Sequence, residues 1–429
     1  MRGFRDLLRH ERYARRFFGA YAQSALGTGA AYVALVLLAY ERFTSPWAIA
    51  LVLLADFVPP MLLGPVFGAA ADRWPRRTCA IVGDLVRAGA FIGIALIDDF
   101  GATVAFALLA GIGTGLFKPA VMAGLPTIVS RDRIARATGL YGALTELGYT
   151  VGPGIAGLLL LFMSPSTLLL VNGATFAVSA AVLAAIPLRA ASGEVGEGPA
   201  GERRSLLREA REGVALTARM PLVRTAIVAT SAILLFGGMV NVAELLLVRH
   251  LGGGQVAYSV LVTASGVGIL AGTLASSRGG PLRLLEGRFV AGLALFAGGM
   301  IATGFAPSVP VALAGVALAG VGNGFVITHE RLLIQLTVDD ALMGRVFGIQ
   351  GALDGGAFGA AFLAGGAILS LVGPATVFFL AGGGGLLVWL GTRAALSSSR
   401  RRQVAEGPSE PIAETPAEAP PVAAAGAER

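Results

Sequence analysis

The stretch Gly68-Ala-Ala-Ala-Asp-Arg-Trp-Pro-Arg-Arg77 lies between two long apolar segments, and the rest of the chain is organised around it. It places one glycine, one acid and three arginines within ten residues. A short turn between two apolar helices needs only residues that water can solvate. This stretch is more charged and more regularly spaced than such a turn requires, so we expect it to have a function of its own.

The composition indicates a helical membrane protein. Hydrophobic residues make up 55% of the 429 residues, charged residues make up 14%, and the mean hydropathy is +0.75. Soluble domains carry about 25% charged residues. A spanning helix needs about 20 apolar residues, so a charge-free run of twice that length holds two spans and a turn. Three such runs are present, at 147–188, 289–329 and 355–392.

Charge and cysteine content exclude other classes of protein. The net charge of +7 could suggest a nucleic-acid binder, but the arginines lie in short loops between apolar runs, which is the signature of membrane topology. One cysteine and three histidines indicate neither a disulfide framework nor a metal centre, and we expect no cofactor. The uncharged run 17–40 is too long for the core of a signal peptide, which favours an uncleaved first helix.

We predict an all-α membrane protein with twelve transmembrane helices in two six-helix bundles. Arginines concentrate in the even-numbered gaps between spans, whereas the odd-numbered gaps contain only Arg42 and Arg249. This asymmetry predicts a multi-pass protein of the bacterial inner membrane with both termini in the cytoplasm. The predicted spans are 16–40, 46–71, 78–97, 100–127, 134–162, 166–188, 221–248, 255–277, 287–305, 309–334, 343–371 and 374–395.

The predicted domains follow from the same pattern. Residues 1–188 form the amino-terminal bundle, 189–220 a cytoplasmic linker, and 221–396 the carboxy-terminal bundle. The remaining residues, 397–429, are rich in Pro, Ala and Glu and cannot bury enough apolar surface to order themselves, so we expect a disordered cytoplasmic tail.

The two predicted bundles share an internal repeat. At an offset of 209 residues, Gly111-Ile-Gly-Thr-Gly115 aligns with Gly320-Val-Gly-Asn-Gly324. The same offset aligns five further positions across the next loop and helix without a gap. Equivalent helices then run in the same direction, which implies a pseudo-two-fold axis along the membrane normal and a path between the bundles. The five pairs are Arg136 with Arg345, Gly139 with Gly348, Gly142 with Gly351, Ala143 with Ala352, and Leu144 with Leu353.

Three motifs of the chain form a recognisable set. They are Gly68-xxx-Asp72-Arg73-xx-Arg76-Arg77 in the loop, Gly148-xxx-Gly152-Pro153-xx-Ala156-Gly157 in the fifth span, and Phe117-Lys118-Pro119-Ala120 with Leu125-Pro126 between the fourth and fifth spans. Together they resemble the major facilitator superfamily over about residues 10–396. Within it, the chain is similar to the bacterial exporter subgroup that contains enterobactin exporters and macrolide efflux pumps. It departs from the family pattern at Pro75 and Ala156, where glycine is usual.

The resemblance implies that the charged loop is a gate. The Asp72 side chain would meet the start of the eleventh span near residue 343, where the partial positive charge of a helix amino terminus attracts an acid. Gly68 would permit close approach of helices. The second half, at 276–283, lacks the acid, so the contact would be one-sided. In the alternative interpretation Arg73, Arg76 and Arg77 only anchor the topology.

Acids within predicted spans are candidates for proton coupling, because ionisable groups in the bilayer are costly and usually functional. Asp56, Glu146 and Asp354 lie near the middle of their spans, and Glu330 lies near the inner end of the tenth. The alternative role for each is a structural hydrogen bond. Two other pairs are weaker candidates: we expect Asp84 and Arg87 to form a mutual ion pair, and Glu244 and Arg249 to lie in water near the outer end of the seventh span.

By resemblance, the first, fourth, seventh and tenth spans line the path. The resemblance therefore makes Gln23, Lys118, Asn241, Asn323 and Glu330 candidate wall residues. In the fifth span, the small residues of the Gly148–Gly157 motif allow close helix packing, and Pro153 bends the helix. That bend either biases which side opens or serves packing alone.

An enzyme is not indicated. His329-Glu330 begins a zinc-protease motif, but Leu333 stands where the second histidine belongs, and no Gly-Lys-Ser/Thr phosphate loop is present. Together with the membrane topology, the resemblance implies a monomeric, proton-coupled exporter of small amphipathic molecules (a drug, an antibiotic or a siderophore), with protons and the lipid bilayer as its other partners and no nucleic acid. The alternatives are an uptake permease, a flippase for a lipid-like substrate, and a membrane sensor.

Overall fold

The helices follow the apolar runs of the sequence. The computed structural model describes residues 2–188, 214–215, 217–276 and 279–405, and within these ranges it contains no β-strand. Short 3₁₀ turns at Leu125–Thr127 and Arg131–Arg133 join two of the helices. The helices are α1 (Arg2–His10), α2 (Arg12–Phe43), α3 (Pro46–Leu62), α4 (Gly64–Arg73), α5 (Arg76–Leu96), α6 (Phe100–Gly124), α7 (Ile134–Leu159), α8 (Pro165–Ala184), α9 (Pro221–His250), α10 (Gln255–Ala275), α11 (Leu282–Gly304), α12 (Val309–Thr337), α13 (Asp340–Leu371) and α14 (Pro374–Ala405).

Ten of these helices are long and apolar enough to cross a membrane. The second predicted span is divided into α3 and α4, with the break at Leu63. Pro59 and Pro60 precede the break, and proline removes a backbone donor and clashes with the preceding turn. The apolar part α3 is therefore shorter than a full span. Helix α7, which carries Arg136 and Glu146, is also outside the ten. The fold is that of a multi-pass helical protein, and the number twelve stays a prediction.

Two groups of helices pack chiefly among themselves. The first comprises α2, α3 and α5 to α8, and the second comprises α9 to α14. We call them the first and second halves. The halves meet mainly where α3 packs against α13 and where α7 packs against α10. Most of the predicted linker 189–220 and the tail residues 406–429 lie outside the described residues, while α14 continues past Ser397, where the tail was predicted to begin, to Ala405.

The internal repeat is visible in the helix contacts. Glycines of α6 lie against backbone carbonyls of α3 and α5, and glycines of α12 lie against the equivalent carbonyls of α10 and α11. For each contact in the first half there is a contact in the second half whose two residues both lie 209 positions later in the sequence. Because only glycine permits such close backbone approach, the repeat preserves the packing of the helices as well as their order. The four contacts are Gly111 with Asp56, Gly320 with Ser265, Gly113 with Gly83, and Gly322 with Gly292.

The short helix α1 is fixed to the end of the first half. Leu7 is fully buried against that half. The Glu11 carboxylate accepts hydrogen bonds from the Ser130 backbone N–H at 3.1 Å, the Ser130 hydroxyl at 2.9 Å and the Arg133 guanidinium at 3.2 Å. Burial alone would raise the pKa of Glu11, but these bonds and the Arg133 charge together hold it below its ordinary value. The ionised carboxylate therefore stabilises the α6–α7 connection.

Replacing Glu11 by glutamine should destabilise this docking. Because the pKa is lowered by folding, the carboxylate contributes above its unfolded pKa and the contribution is lost as pH falls through the folded pKa. We expect E11Q to lower the thermal midpoint at pH 7 by about 2 °C, with the difference shrinking as acid protonates Glu11 in the folded protein. Differential scanning fluorimetry in detergent measures both. The control is D339N, an exposed acid that makes no helix-cap hydrogen bond; an equal loss in D339N would contradict the assignment.

Candidate functional site

Two cavities among the described residues concern us, and the larger of them lies in the first half. Its volume is about 440 Å³, and residues of α2, α3 and α5 to α8 line it. Asp56 and Glu146 face it together with Lys118 and Arg87, and the aromatic rings of Tyr21, Phe57, Phe117, Tyr141, Tyr149 and Phe176 supply much of its wall. The cavity thus combines an apolar aromatic surface with a few charged groups, the usual composition of a small-molecule site.

The guanidinium of Arg87 interacts with an acid and two aromatic rings of the first half. Its guanidinium forms an ion pair with Asp84, which confirms the predicted pairing. The guanidinium carbon also lies 4.3 Å from the ring centre of Phe117 and 4.2 Å from that of Phe176. A cation held between two rings and an acid is stabilised where it stands. Lys118 is consequently the basic group of this cavity that makes no ion pair among the described residues.

The smaller cavity lies between the halves. Its volume is about 270 Å³, and α2, α3, α7, α9, α10 and α13 all contribute to its wall. Glu146 and Tyr149 line this cavity as well as the larger one. Opposite them, α9 contributes Asn241 and Glu244. The two cavities are therefore adjacent, with Glu146 at their common boundary.

A second pair of acids lies in the second half. Ser231 donates a 2.7 Å hydrogen bond from its hydroxyl to Asp354 Oδ1. Glu330 lies near Asp354, is 1% exposed, and leaves its Oε1 atom without a hydrogen-bond partner among the described residues. The sequence predicted these two acids separately, and the structure brings them together beside α9. Neither lines the two cavities.

The predicted wall residues divide into two groups. Lys118 lines the larger cavity and Asn241 lines the smaller one. Gln23 instead donates a 2.8 Å hydrogen bond to the Thr175 carbonyl and so connects α2 to α8. Asn323 and Glu330 are absent from the described walls of both cavities. Whether these residues line a transport path stays a prediction.

The charged stretch lies at one end of the first half. Arg76 donates a 2.8 Å hydrogen bond to the Ala123 carbonyl of α6, while Arg73 and Arg77 are exposed. The Asp72 side chain lies outside the described side chains, so its role as a gate stays a prediction. Among the described residues no neighbouring atom lies within 4 Å of a Cβ placed on Gly68. We call this end of the helices, which also carries Arg133 and Arg136, the basic end.

The fifth-span motif makes two kinds of contact. Gly148 lies against the Ala25 backbone and Gly152 against the Gly29 backbone, both within the first half. Gly157 lies against Ser259 of α10, in the second half. Pro153, one turn before Gly157, lines the smaller cavity. The motif therefore fixes α7 to its own half at one end and to the opposite half at the other.

The halves are closed at the end opposite the basic end. There Glu41 of α2 pairs with Arg249 of α9 at 3.4 Å and accepts a 2.9 Å hydrogen bond from Gln255 of α10. Towards the basic end the halves separate: for the described residues, no neighbouring atom comes within 4 Å of a Cβ on any of five glycines of α7 and α13. The structure is therefore a conformation open at its basic end. The five are Gly139, Gly142, Gly344, Gly348 and Gly351.

Sequence reasoning was wrong about Glu244. We expected it to lie in water, yet it is 6% exposed and lies between the halves. Apolar neighbours on both sides, in Val240-Asn-Val-Ala-Glu-Leu-Leu-Leu-Val248, were a signal that could have shown this. Glu41 was missed for another reason, since an acid at a helix end is ordinarily solvated and only the packing of the halves gives it partners.

Comparisons with known proteins agree with this architecture. The multidrug efflux pump Tap of Mycolicibacterium fortuitum is 28% identical over 81% of this chain and 85% of its own length. Macrolide efflux protein A of Streptococcus pyogenes is 22% identical over 77% of this chain and 83% of its own length. The solved nucleoside transporter NupG superposes with a TM-score of 0.71 at 11% identity, covering 90% of this chain and 99% of NupG, which shows the fold alone. The profile of the Major Facilitator Superfamily matches residues 17–357, and the chain belongs to that superfamily.

Proposed function

We propose that this protein is a secondary active transporter that exports small amphipathic molecules by alternating access, coupled to proton entry. The observation that carries the proposal is the placement of Glu146. Its carboxyl group lies at the boundary of a cavity in the first half and a cavity between the halves. A group in that position can sense both a bound molecule and the closing of the halves, which coupling requires.

The chemistry of the larger cavity supports an amphipathic cargo. Aromatic rings bind apolar surface, and the acids Asp56 and Glu146 attract a positive group, while Lys118 offers a contact for an anionic one. Since Arg87 is paired with Asp84, acids outnumber the remaining basic group. This balance favours cationic or neutral drugs and antibiotics over an anionic siderophore. Two relatives named as a multidrug and a macrolide efflux pump support the same direction of transport.

The proposal includes the orientation of the protein in the membrane. The positive-inside rule places the basic end, and with it both termini, in the cytoplasm of a bacterial cell. The conformation described then faces inward and can receive cargo from the cytoplasm. In the opposite conformation Asp72 and Arg73 would hold the basic end closed against α13. The protein would work as a monomer, since each chain contains both halves of the path.

Gradient-driven transport in inside-out vesicles tests this function. An imposed acid-inside gradient should drive accumulation of a fluorescent cationic drug such as ethidium. We expect D56N, E146Q and D354N each to abolish the gradient-dependent component of accumulation, because an amide cannot carry the proton. The control is D98N, which removes an exposed acid that lines neither cavity. Full gradient-driven accumulation in all three variants would show that these acids do not couple transport.

A further inference from the structure

Glu244 is a buried acid that none of the roles above explains. It lies on α9, and its side chain faces the smaller cavity at the closed end. Tyr32 of the first half lines the same cavity. Tyr258 of α10 is fully buried nearby, and its hydroxyl lies beside the Tyr32 hydroxyl. Closing the halves at this end therefore encloses a carboxyl group among apolar and phenolic side chains.

Among the described residues no cation compensates this carboxyl group. Arg249, the nearest basic residue along α9, pairs with Glu41 and lies 4.9 Å from the ring centre of Tyr40. The other titratable groups lining the cavity are Tyr32, Glu146 and Tyr149. Neither the acid nor the phenols can neutralise a carboxylate.

The other helices packed against α9 carry cations, but in the described part of the chain none lies beside Glu244, and Arg331 of α12 lies near Glu330 and Asp354. On α12 and α13, Glu330 and Asp354 lie near Ser231, which is thirteen positions and about 20 Å along α9 from Glu244. On α14, Arg393 lies over the Trp389 ring. On α3, Asp56 faces the larger cavity. Glu244 thus forms a site separate from the Glu330–Asp354 pair.

The protonation state of Glu244 should then be coupled to closure. Burying an ionised carboxylate without a partner costs several kcal/mol, whereas burying the neutral acid costs far less. Opening this end would expose the group to the outer solution, where either form is stable. Closure consequently favours the protonated form, and deprotonation favours opening.

We propose that Glu244 is a proton-binding residue of the closed end, which takes up a proton from the outer solution and must hold it for the halves to close there. Glu146 lines the same cavity and also the larger one. Once the end is closed, the O–H bond of Glu244 breaks and the proton passes to the Glu146 carboxylate, leaving Glu244 ionised and the closed end destabilised. This proposal rests on the proposed coupling to protons and adds the site at which a proton enters.

A distance measurement without any substrate tests the proposal. Spin labels would be placed on F162C and L371C, whose native side chains are 81% and 84% exposed at the closed end, one in each half, in a C79A background. We expect the label separation in the wild-type protein to increase as pH rises from 5 to 9. E244Q, which is permanently neutral, should keep the short separation at every pH. A wild-type pH response that persists in E244Q, or no response in the wild type, would overturn the proposal.

Two further variants keep the test decisive. E244D retains a titratable group in an altered position and should keep the response with a shifted midpoint; a midpoint identical to that of the wild type would overturn the proposal even if E244Q did not fold. E286Q, which changes another buried acid of the second half outside both cavities, should leave the response unchanged. Because no cargo is present, this result is independent of whether D56N, E146Q and D354N abolish drug accumulation.

Discussion

A single methyl group at Gly148 is expected to destabilise the first half strongly. A Cβ at this position would overlap the backbone carbonyl of Ala25 on α2. Backbone atoms cannot rotate away as a side chain can, so α2 and α7 would have to separate along their contact, which Gly152 and Gly29 continue. Overpacking costs about 1–3 kcal/mol and more where relief is blocked. We expect G148A to lower the thermal midpoint by about 10 °C and to reduce the monodisperse yield several-fold.

The same helix provides a matched control for this prediction. For the described residues, a Cβ at Gly142 would have no neighbouring atom within 4 Å. Alanine is the better helix former by about 1 kcal/mol, so G142A should be neutral or slightly stabilising. Size-exclusion profiles and thermal midpoints of the two variants, purified side by side, measure the difference. Equal behaviour of G148A and G142A would show that the α2–α7 contact does not limit stability.

Much of the fold was predictable from the sequence. Charge-free runs determine where helices lie, because a bilayer allows few other ways to satisfy the backbone. Repeated glycines such as Gly111 and Gly320 then identify which helices approach closely, and the structure shows both in equivalent contacts. The break at Leu63 was missed because the apolar run continues through it, although Pro59 and Pro60 were a signal for it in the sequence.

The candidate site was less predictable, because a cavity depends on the rotation of each helix. Asp56 and Glu146 were found since an acid in an apolar run is conspicuous by itself. Gln23 was assigned to the wall, and in the structure its amide donates a hydrogen bond to the Thr175 carbonyl, so its place on the path stays a prediction. Glu244 was assigned to water because its depth was counted from the helix end, whereas its burial comes from α2 and α10 of opposite halves. A local pattern such as the apolar neighbours of Glu244 can indicate burial, but it does not identify the residues of the opposite half that a side chain meets.

Replacing Gly351 by leucine is expected to stop transport while leaving the protein folded. In the conformation open at its basic end, a side chain at Gly351 points into unoccupied space as far as the described residues extend. Its repeat partner Gly142 has the same surroundings on α7. When the basic end closes, these glycine faces must approach the opposite half, as Gly157 and Ser259 do at the end now closed. A leucine there would oppose closure and trap the inward-facing state.

The expected size of the transport defect in G351L follows from the free-energy cost of an overpacked helix contact. About 3 kcal/mol lowers the population of the closed basic end roughly a hundredfold, and both downhill and gradient-driven transport fall with it. Thermal midpoints should match the wild type, because the described conformation has room for the side chain. G391L is the control, since Gly391 also has open surroundings but lies on α14, away from the contacts between halves. A G351L protein with normal downhill flux would mean that closure of the basic end does not bring α13 into contact with the first half.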